Sequence, residues 1–215
     1  MIIELEDKQL TRKLYEEAFE DPKEFVDYYY EDKCSDNRMI VSMEEGEVIS
    51  MLHLNPFKVS LCCTEVQSYY VVAVATTKGR RHEGQMSRVF EKTFELLKAE
   101  HIPFVFLLPV DEAIYSWMGF EKICDFSMDR IPDFEEIRQK YDVYCVRDDV
   151  YLRRMKREDE LRALDKGSVF PDHSVIMAKI TDLEEFNKAT GNSFSNEKEA
   201  LSWLKEKKVY ICEEV

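Results

Sequence analysis

Apolar residues recur at helical spacing over residues 8–20 (KQLTRKLYEEAFE), where Leu10, Leu14 and Ala18 share one stripe. A second helix is expected over 22–33 (PKEFVDYYYEDK), with Pro22 suited to its first turn. The period then changes. Residues 39–43 (MIVSM) and 47–54 (EVISMLHL) read as an antiparallel hairpin turning at Glu44, Glu45 and Gly46, ended by Asn55-Pro56, with another strand opening over 57–61. Residues 66–76 (VQSYYVVAVAT) are almost continuously β-branched and aromatic, which predicts a central strand buried on both faces.

A polar, basic loop follows (TKGRRHEG, 77–84), and then an amphipathic helix over 85–99 with Met86, Val89, Phe90, Phe94 and Leu97 on one stripe. Residues 104–108 (FVFLL) predict a second buried strand, 111–117 a short helix and 119–126 a closing strand. Strand, helix and strand in that order give an α/β plan with a parallel pair around one crossover helix. Beyond residue 130 the chain becomes densely charged. A helix is expected over 148–164, a strand over 174–180, helices over 182–189 and 196–207, and a last strand over 209–212. The expected organisation is a first domain over 1–130, a connecting segment over 131–144 and a small α+β region over 145–215. That tail is either a second unit or an extension packed on the first domain.

Composition narrows the function classes. With 30 Lys+Arg against 44 Asp+Glu the net charge is −14, and 45% hydrophobic with 34% charged residues is the balance of a globular protein. Nucleic acid and anionic membrane are not expected partners, since both need a basic footprint. A cationic small molecule or basic peptide fits better. The six cysteines include no CxxC pair, so no metal site is expected and buried free thiols are the plainer reading. The acidic opening (MIIELEDKQL) lacks a signal-type apolar core, no apolar run approaches a bilayer span, and a cytoplasmic location is expected. Composition says nothing of oligomeric state.

Against this acidic background, Lys78, Arg80, Arg81, Arg88 and Lys92 crowd into 15 residues around the junction of a buried strand and a helix. A helix N-terminus has unpaired N–H groups and a partial positive charge, so the segment is a candidate anion site with Gly84 allowing close backbone approach. A basic turn with a solvated helix face is the alternative. Neither the GxGxxG nor the Walker pattern is present.

Arg81-x-x-Gly84-x-Met86 resembles the Arg/Gln-x-x-Gly-x-Gly/Ala signature of the GCN5-related N-acetyltransferase (GNAT) superfamily. Tyr115-Ser116-Trp117-Met118-Gly119-Phe120 resembles that superfamily's Tyr-x-x-x-Gly-Phe, 34 residues on (115 − 81). Met86 and His82 depart from the usual small residues, as they do in proteins resembling the enhanced intracellular survival (Eis) acetyltransferases. The opening helices, Leu107-Leu108-Pro109, and residues 175–183, similar to the start of a sterol-carrier-like domain, also resemble that branch, in a shortened form. The resemblance covers about residues 1–128.

It implies a GNAT fold: a mixed central sheet with helices on both faces and a parallel strand pair splayed for acetyl-CoA, plus the small α+β C-terminal extension. Acetyl-CoA is the implied cosubstrate, with no metal. Its contacts would be the backbone of Val74, Ala75 and Thr76 and the loop residues Arg80, Arg81, His82, Glu83, Gly84, Gln85, Met86 and Ser87. Tyr115 is the implied general acid; packing beside Trp117 and Phe120 is the plainer role. Phe25, Tyr29 and Glu65 are candidate acceptor contacts, although the aromatic run around Tyr29 equally suits a core. No single general base stands out among Glu65, Glu83, His53 and His82, the two histidines being expected to titrate near neutrality; the resemblance also implies the terminal carboxylate of Val215. The expected activity is acetyl transfer to a primary amine of a small cationic molecule or basic peptide by direct attack. The alternative is a GNAT-fold module that binds acyl-CoA without turning it over.

Overall fold

Glu45 and Gly46, at φ of 51° and 85°, close the expected hairpin as a two-residue turn whose left-handed backbone matches the twist of its strands. The computed structural model describes residues 1–127, 129–164 and 174–213, and these form a mixed sheet with helices on both sides. In chain order the elements are β1 (Ile2–Glu4), α1 (Arg12–Ala18), α2 (Lys23–Glu31), β2 (Arg38–Glu44), β3 (Glu47–Leu61), β4 (Thr64–Thr76), α3 (Gln85–Ala99), β5 (Phe104–Leu107) and α4 (Ala113–Ser116). They continue with β6 (Glu121–Asp125), α5 (Phe134–Lys140), β7 (Val143–Cys145), α6 (Asp149–Leu164), β8 (Val175–Ile180), α7 (Leu183–Thr190), α8 (Glu197–Lys205) and β9 (Val209–Tyr210). None of the described helices is long and apolar enough to cross a membrane.

The chain groups into two compact units that do not follow sequence order. The first comprises Met1–Asn55, Val71–Leu96 and the stretch beginning at Asp148. Here β1, β2 and the first half of β3 pair antiparallel. Its core includes Val26 and Tyr29 of α2, Met39 and Val41 of β2, and Val89 and Phe90 of α3, all buried. Of the expected α3 stripe, Val89, Phe90 and Leu97 are buried and Met86 and Phe94 half-buried, while Gln85 and Thr93 are buried as well. Helix α6 is tied to α2 and the turn after it through polar groups: Lys33 Nζ pairs with Glu158 Oε1 at 2.7 Å, and Tyr28 donates to the same oxygen at 3.1 Å.

The second unit comprises Pro56–Tyr70, Leu97–Arg147 and the C-terminal elements from β8 onward. Strand β5 runs parallel to β4, with Tyr69 opposite Val105 and Tyr70 opposite Phe106. Strand β8, expected within the C-terminal region over 145–215, lies between β5 and β6 and is antiparallel to both. Its burial explains the place: Val175, Ile176, Met177, Ala178 and Ile180 are all buried, as a strand flanked on both edges requires. Strand β7 pairs antiparallel with the second half of β3 and parallel with β9. Helix α5 and strand β7 had no clear signal within their charged surroundings.

Two strands differ from expectation. Pro56 does not end β3, which continues to Leu61. The ladder with β2 stops at Leu54 and that with β7 starts at Val59, while Val146 N donates to Lys58 O at 2.8 Å. Pro56 shares the edge of Lys58 and falls in the interval between ladders, where its missing N–H costs no hydrogen bond. Strand β4 is not evenly buried on both faces. Ser68 and Tyr70 are buried, then the phase changes and Val71, Ala73 and Ala75 are buried instead. The phase changes between Tyr70 and Val71, and Ala73, at φ 52°, is a further backbone irregularity within the stretch that follows.

Candidate active site

The irregularity at Ala73 coincides with the end of the β4–β5 ladder: among the described residues no pairing to β5 is recorded beyond Tyr70. Val74, Ala75 and Thr76 therefore continue β4 beyond the parallel pair. Ser50 Oγ donates to Ala75 O at 3.0 Å, and Thr77 N donates to Ile49 O at 2.9 Å, which anchors the start of the loop to β3. A single turn over Lys78–Arg80 follows, with Arg80 N donating to Thr77 O at 2.9 Å.

His82 and Gly84 then take positive φ, 66° and 75°, and turn the chain into α3. Nothing lies within 4 Å of where a Cβ on Gly84 would stand, so the glycine serves the backbone conformation and leaves open space above it. Arg88 N donates to Gly84 O at 3.2 Å and begins the helical ladder. Among the described residues, no protein acceptor is recorded for the main-chain N–H groups of Gly84, Gln85, Met86 and Ser87. These groups lie in the loop and first turn of a 15-residue helix, so their dipoles add to the field at its start.

The side chains around the loop divide into two sets. Arg80 is committed to carboxylates: its guanidinium takes both oxygens of Glu44, and Nε donates to Glu83 Oε2 at 2.8 Å. That contact holds the Glu44 carboxyl below its ordinary range. Arg81 Nε donates to Thr76 O at 3.1 Å, and neither Arg81 nor Arg88 has a carboxylate partner among the described residues. Gln85 is buried, accepts from Ser42 Oγ at 2.9 Å and donates to Glu44 Oε1 at 3.2 Å. The candidate anion-binding groups are thus the main-chain N–H groups at the start of α3 beside Arg81 and Arg88, while Arg80 and the Gln85 side chain bond to Glu44. Met86 and Ser87 are half-buried, and His82 and Glu83 are exposed.

Tyr115 belongs to the second unit, on α4. Asp111 Oδ1 accepts from Ala113 N at 2.9 Å and starts that turn, and Tyr115 packs edge-on against Phe120 with ring centres 6.0 Å apart. It is 8% exposed, and burial pushes its phenol up to about 12, so the group stays protonated throughout the working range of pH. Gly119, at φ 87°, ends the turn, and a Cβ there would meet Lys179 Nζ of β8 at 3.0 Å. Lys179 in turn pairs with Glu197 at 3.1 Å.

Of the acceptor candidates, Phe25 and Tyr29 are in the first unit and Glu65 is exposed at the start of β4 in the second. Phe25 is half-buried, stacked on Tyr29 at 6.3 Å. Tyr29 is completely buried and hydrogen-bonded to His53 Nδ1 at 2.9 Å, which is a core role. His53 does not titrate near neutrality, because burial pulls it down to about 3. Val215 lies outside the described residues. Glu44 and Ser42 were absent from the sequence reading, since partners some 40 positions before the loop leave no trace in local spacing.

A family model described as an acetyltransferase (GNAT) domain matches residues 3–123, more than half of the chain. The chain belongs to the GNAT acetyltransferase family. The GNAT fold is similar to that of a GCN5-related N-acetyltransferase from Anabaena variabilis ATCC 29413, with 13% identity, a TM-score of 0.58, and cover of 88% of this chain and 75% of that one. One from Kribbella flavida gives 11% identity, a TM-score of 0.56 and cover of 88% and 74%. A probable N-acyltransferase from Enterococcus faecalis V583 gives 18% identity and a TM-score of 0.54 over 58% of this GNAT chain, which spans only 33% of that protein. No curated protein matches the sequence.

Proposed function

We propose that the chain is an acetyl-CoA-dependent N-acetyltransferase of the Eis-like branch, transferring acetyl to a primary amine of a small cationic molecule or basic peptide. The observation that carries this reading is the start of α3, where the main-chain N–H groups of Gly84, Gln85, Met86 and Ser87 have no recorded acceptor among the described residues and Arg81 and Arg88 stand on either side. A diphosphate fits that cradle, since main-chain donors and a helix start bind oxyanions without a fixed counter-charge. The residues of β4 past the end of its ladder with β5 are those the pantetheine arm would line, with an N–H near Val74 polarising the thioester carbonyl.

The neutral amine attacks the thioester carbon, forming the C–N bond. The C–S bond breaks, and the CoA thiolate takes the Tyr115 proton while the new amide nitrogen loses one to solvent or a base. A phenol near 12 giving its proton to a thiolate whose acid lies near 8.5 is an uphill transfer, so placement rather than driving force is what Tyr115 supplies. The acidic surface favours a cationic acceptor.

The test is calorimetric titration with acetyl-CoA, followed by CoA release against polyamines, aminoglycosides and lysine peptides. Micromolar binding with turnover is expected, and Tyr115→Phe is expected to lower kcat about 100-fold, the lower end of what a positioned general acid contributes. Binding without turnover across the panel points to a binding module, and no binding overturns the assignment.

A further inference from the structure

We propose that Glu44 is a positioning residue for the cosubstrate: the carboxylate at the end of β2 holds the 77–84 loop in the shape that presents its N–H groups. This rests on the reading of that loop as the acetyl-CoA cradle. Glu44 is the hub of the connections on this side of the loop. It takes the Arg80 guanidinium with both oxygens, Arg80 Nε reaches on to Glu83 at 2.8 Å, and Gln85 Nε2 donates to Glu44 Oε1 at 3.2 Å. Gln85 is fixed by the buried bond from Ser42 Oγ at 2.9 Å. The residues so held (80, 83 and 85) bracket His82 and Gly84, both at positive φ, so the left-handed turns are pinned from either side.

An isolated exposed ion pair contributes little, but here the bidentate geometry and the buried Gln85 make a network whose parts share one orientation. Its polarity makes the inference sharp. A carboxylate beside an anion site repels the ligand, so electrostatics alone predicts that removing it tightens binding. A positioning role predicts the opposite, because a loop released from Glu44 must be ordered by the incoming ligand.

The experiment compares wild type with Glu44→Ala and Glu44→Gln. In Glu44→Ala, the Kd and KM for acetyl-CoA are expected to rise about tenfold, with kcat at saturation and KM for the amine within twofold of wild type. Glu44→Gln, which retains an acceptor for Arg80 and Gln85, is expected to recover most of the loss. Trypsin cleavage at Arg80-Arg81 reads the clamp without any cosubstrate, and about tenfold faster nicking in Glu44→Ala is expected while the thermal midpoint of the whole protein stays put. Unchanged or tighter acetyl-CoA binding in Glu44→Ala, or unchanged nicking, overturns the proposal. Absence of binding in the wild type overturns the cosubstrate reading instead, and the nicking rate still decides whether Glu44 holds the loop.

Discussion

His53 makes folding stability depend on pH in a way that can be isolated. The imidazole is completely buried, Nδ1 is bonded to Tyr29 OH at 2.9 Å, Nε2 has no hydrogen-bond partner among the described residues, and Tyr15 and Tyr29 stack on the ring. Protonation places a charge where no carboxylate meets it, so burial pulls the group from 6.5 to about 3. Between those values the unfolded chain binds a proton that the folded chain refuses. Stability is therefore complete above pH 6.5 and is lost progressively as pH falls toward 3. At about 1.36 kcal/mol per pKa unit, the gap sets a ceiling of about 5 kcal/mol, comparable with the whole stability of a marginal domain. Carboxylates also titrate in this range, so the quantity to measure is the difference between wild type and His53→Gln in urea unfolding at pH 7.5, 6, 5 and 4. Wild type is expected to lead by about 1–2 kcal/mol at pH 7.5, the usual cost of disturbing a buried hydrogen bond. That lead should shrink and reverse in acid. A difference that stays constant from pH 7.5 to 4 would refute the reasoning. An acid limb in activity measured while the protein remains folded then belongs to a group other than His53.

Two further outcomes follow from the packing. Glu158→Ala leaves the Lys33 ammonium buried without its 2.7 Å partner and is expected to lower urea stability by about 3–5 kcal/mol, with Lys33→Met/Glu158→Leu recovering most of it. A chain cut after residue 130 deprives β5 and β6 of β8, the strand to which both pair, so size exclusion should find aggregate and near-ultraviolet circular dichroism little fixed structure.

The sequence displayed what depends on neighbours in the chain. The α3 stripe, the Glu45-Gly46 turn and the glycine-bearing loop each rest on residues a few positions apart, and each is present. Readings that depend on distant partners fared less well. Pro56 looked like a strand breaker because its place between recorded ladders is set by where β2 ends and β7 begins. Arg80 and Arg81 were the two candidates to add charge for the pyrophosphate, and the contact of Arg80 with Glu44, 36 positions earlier, left no local trace. The YYY run left core and binding face equally open, and at Tyr29 the buried hydrogen bond to His53 decides for the core. Strand β8 was recognisable as a strand from its apolar run, but nothing local could assign it to the interval between β5 and β6.

Strands β6 and β8 meet at one end, where Asp125 lies opposite Val175 and Phe126 N donates to Ser174 O at 2.9 Å. The chain between them does not stay outside the sheet, because it carries β7, which pairs with β3 and β9 before β8 begins. The β6–β8 ladder therefore joins residues 50 positions apart (175 − 125) and closes only after the chain has travelled through β7. Closing so long a loop costs entropy before its contacts reward it, so changes of length in this stretch are expected to alter the folding rate more than the final stability.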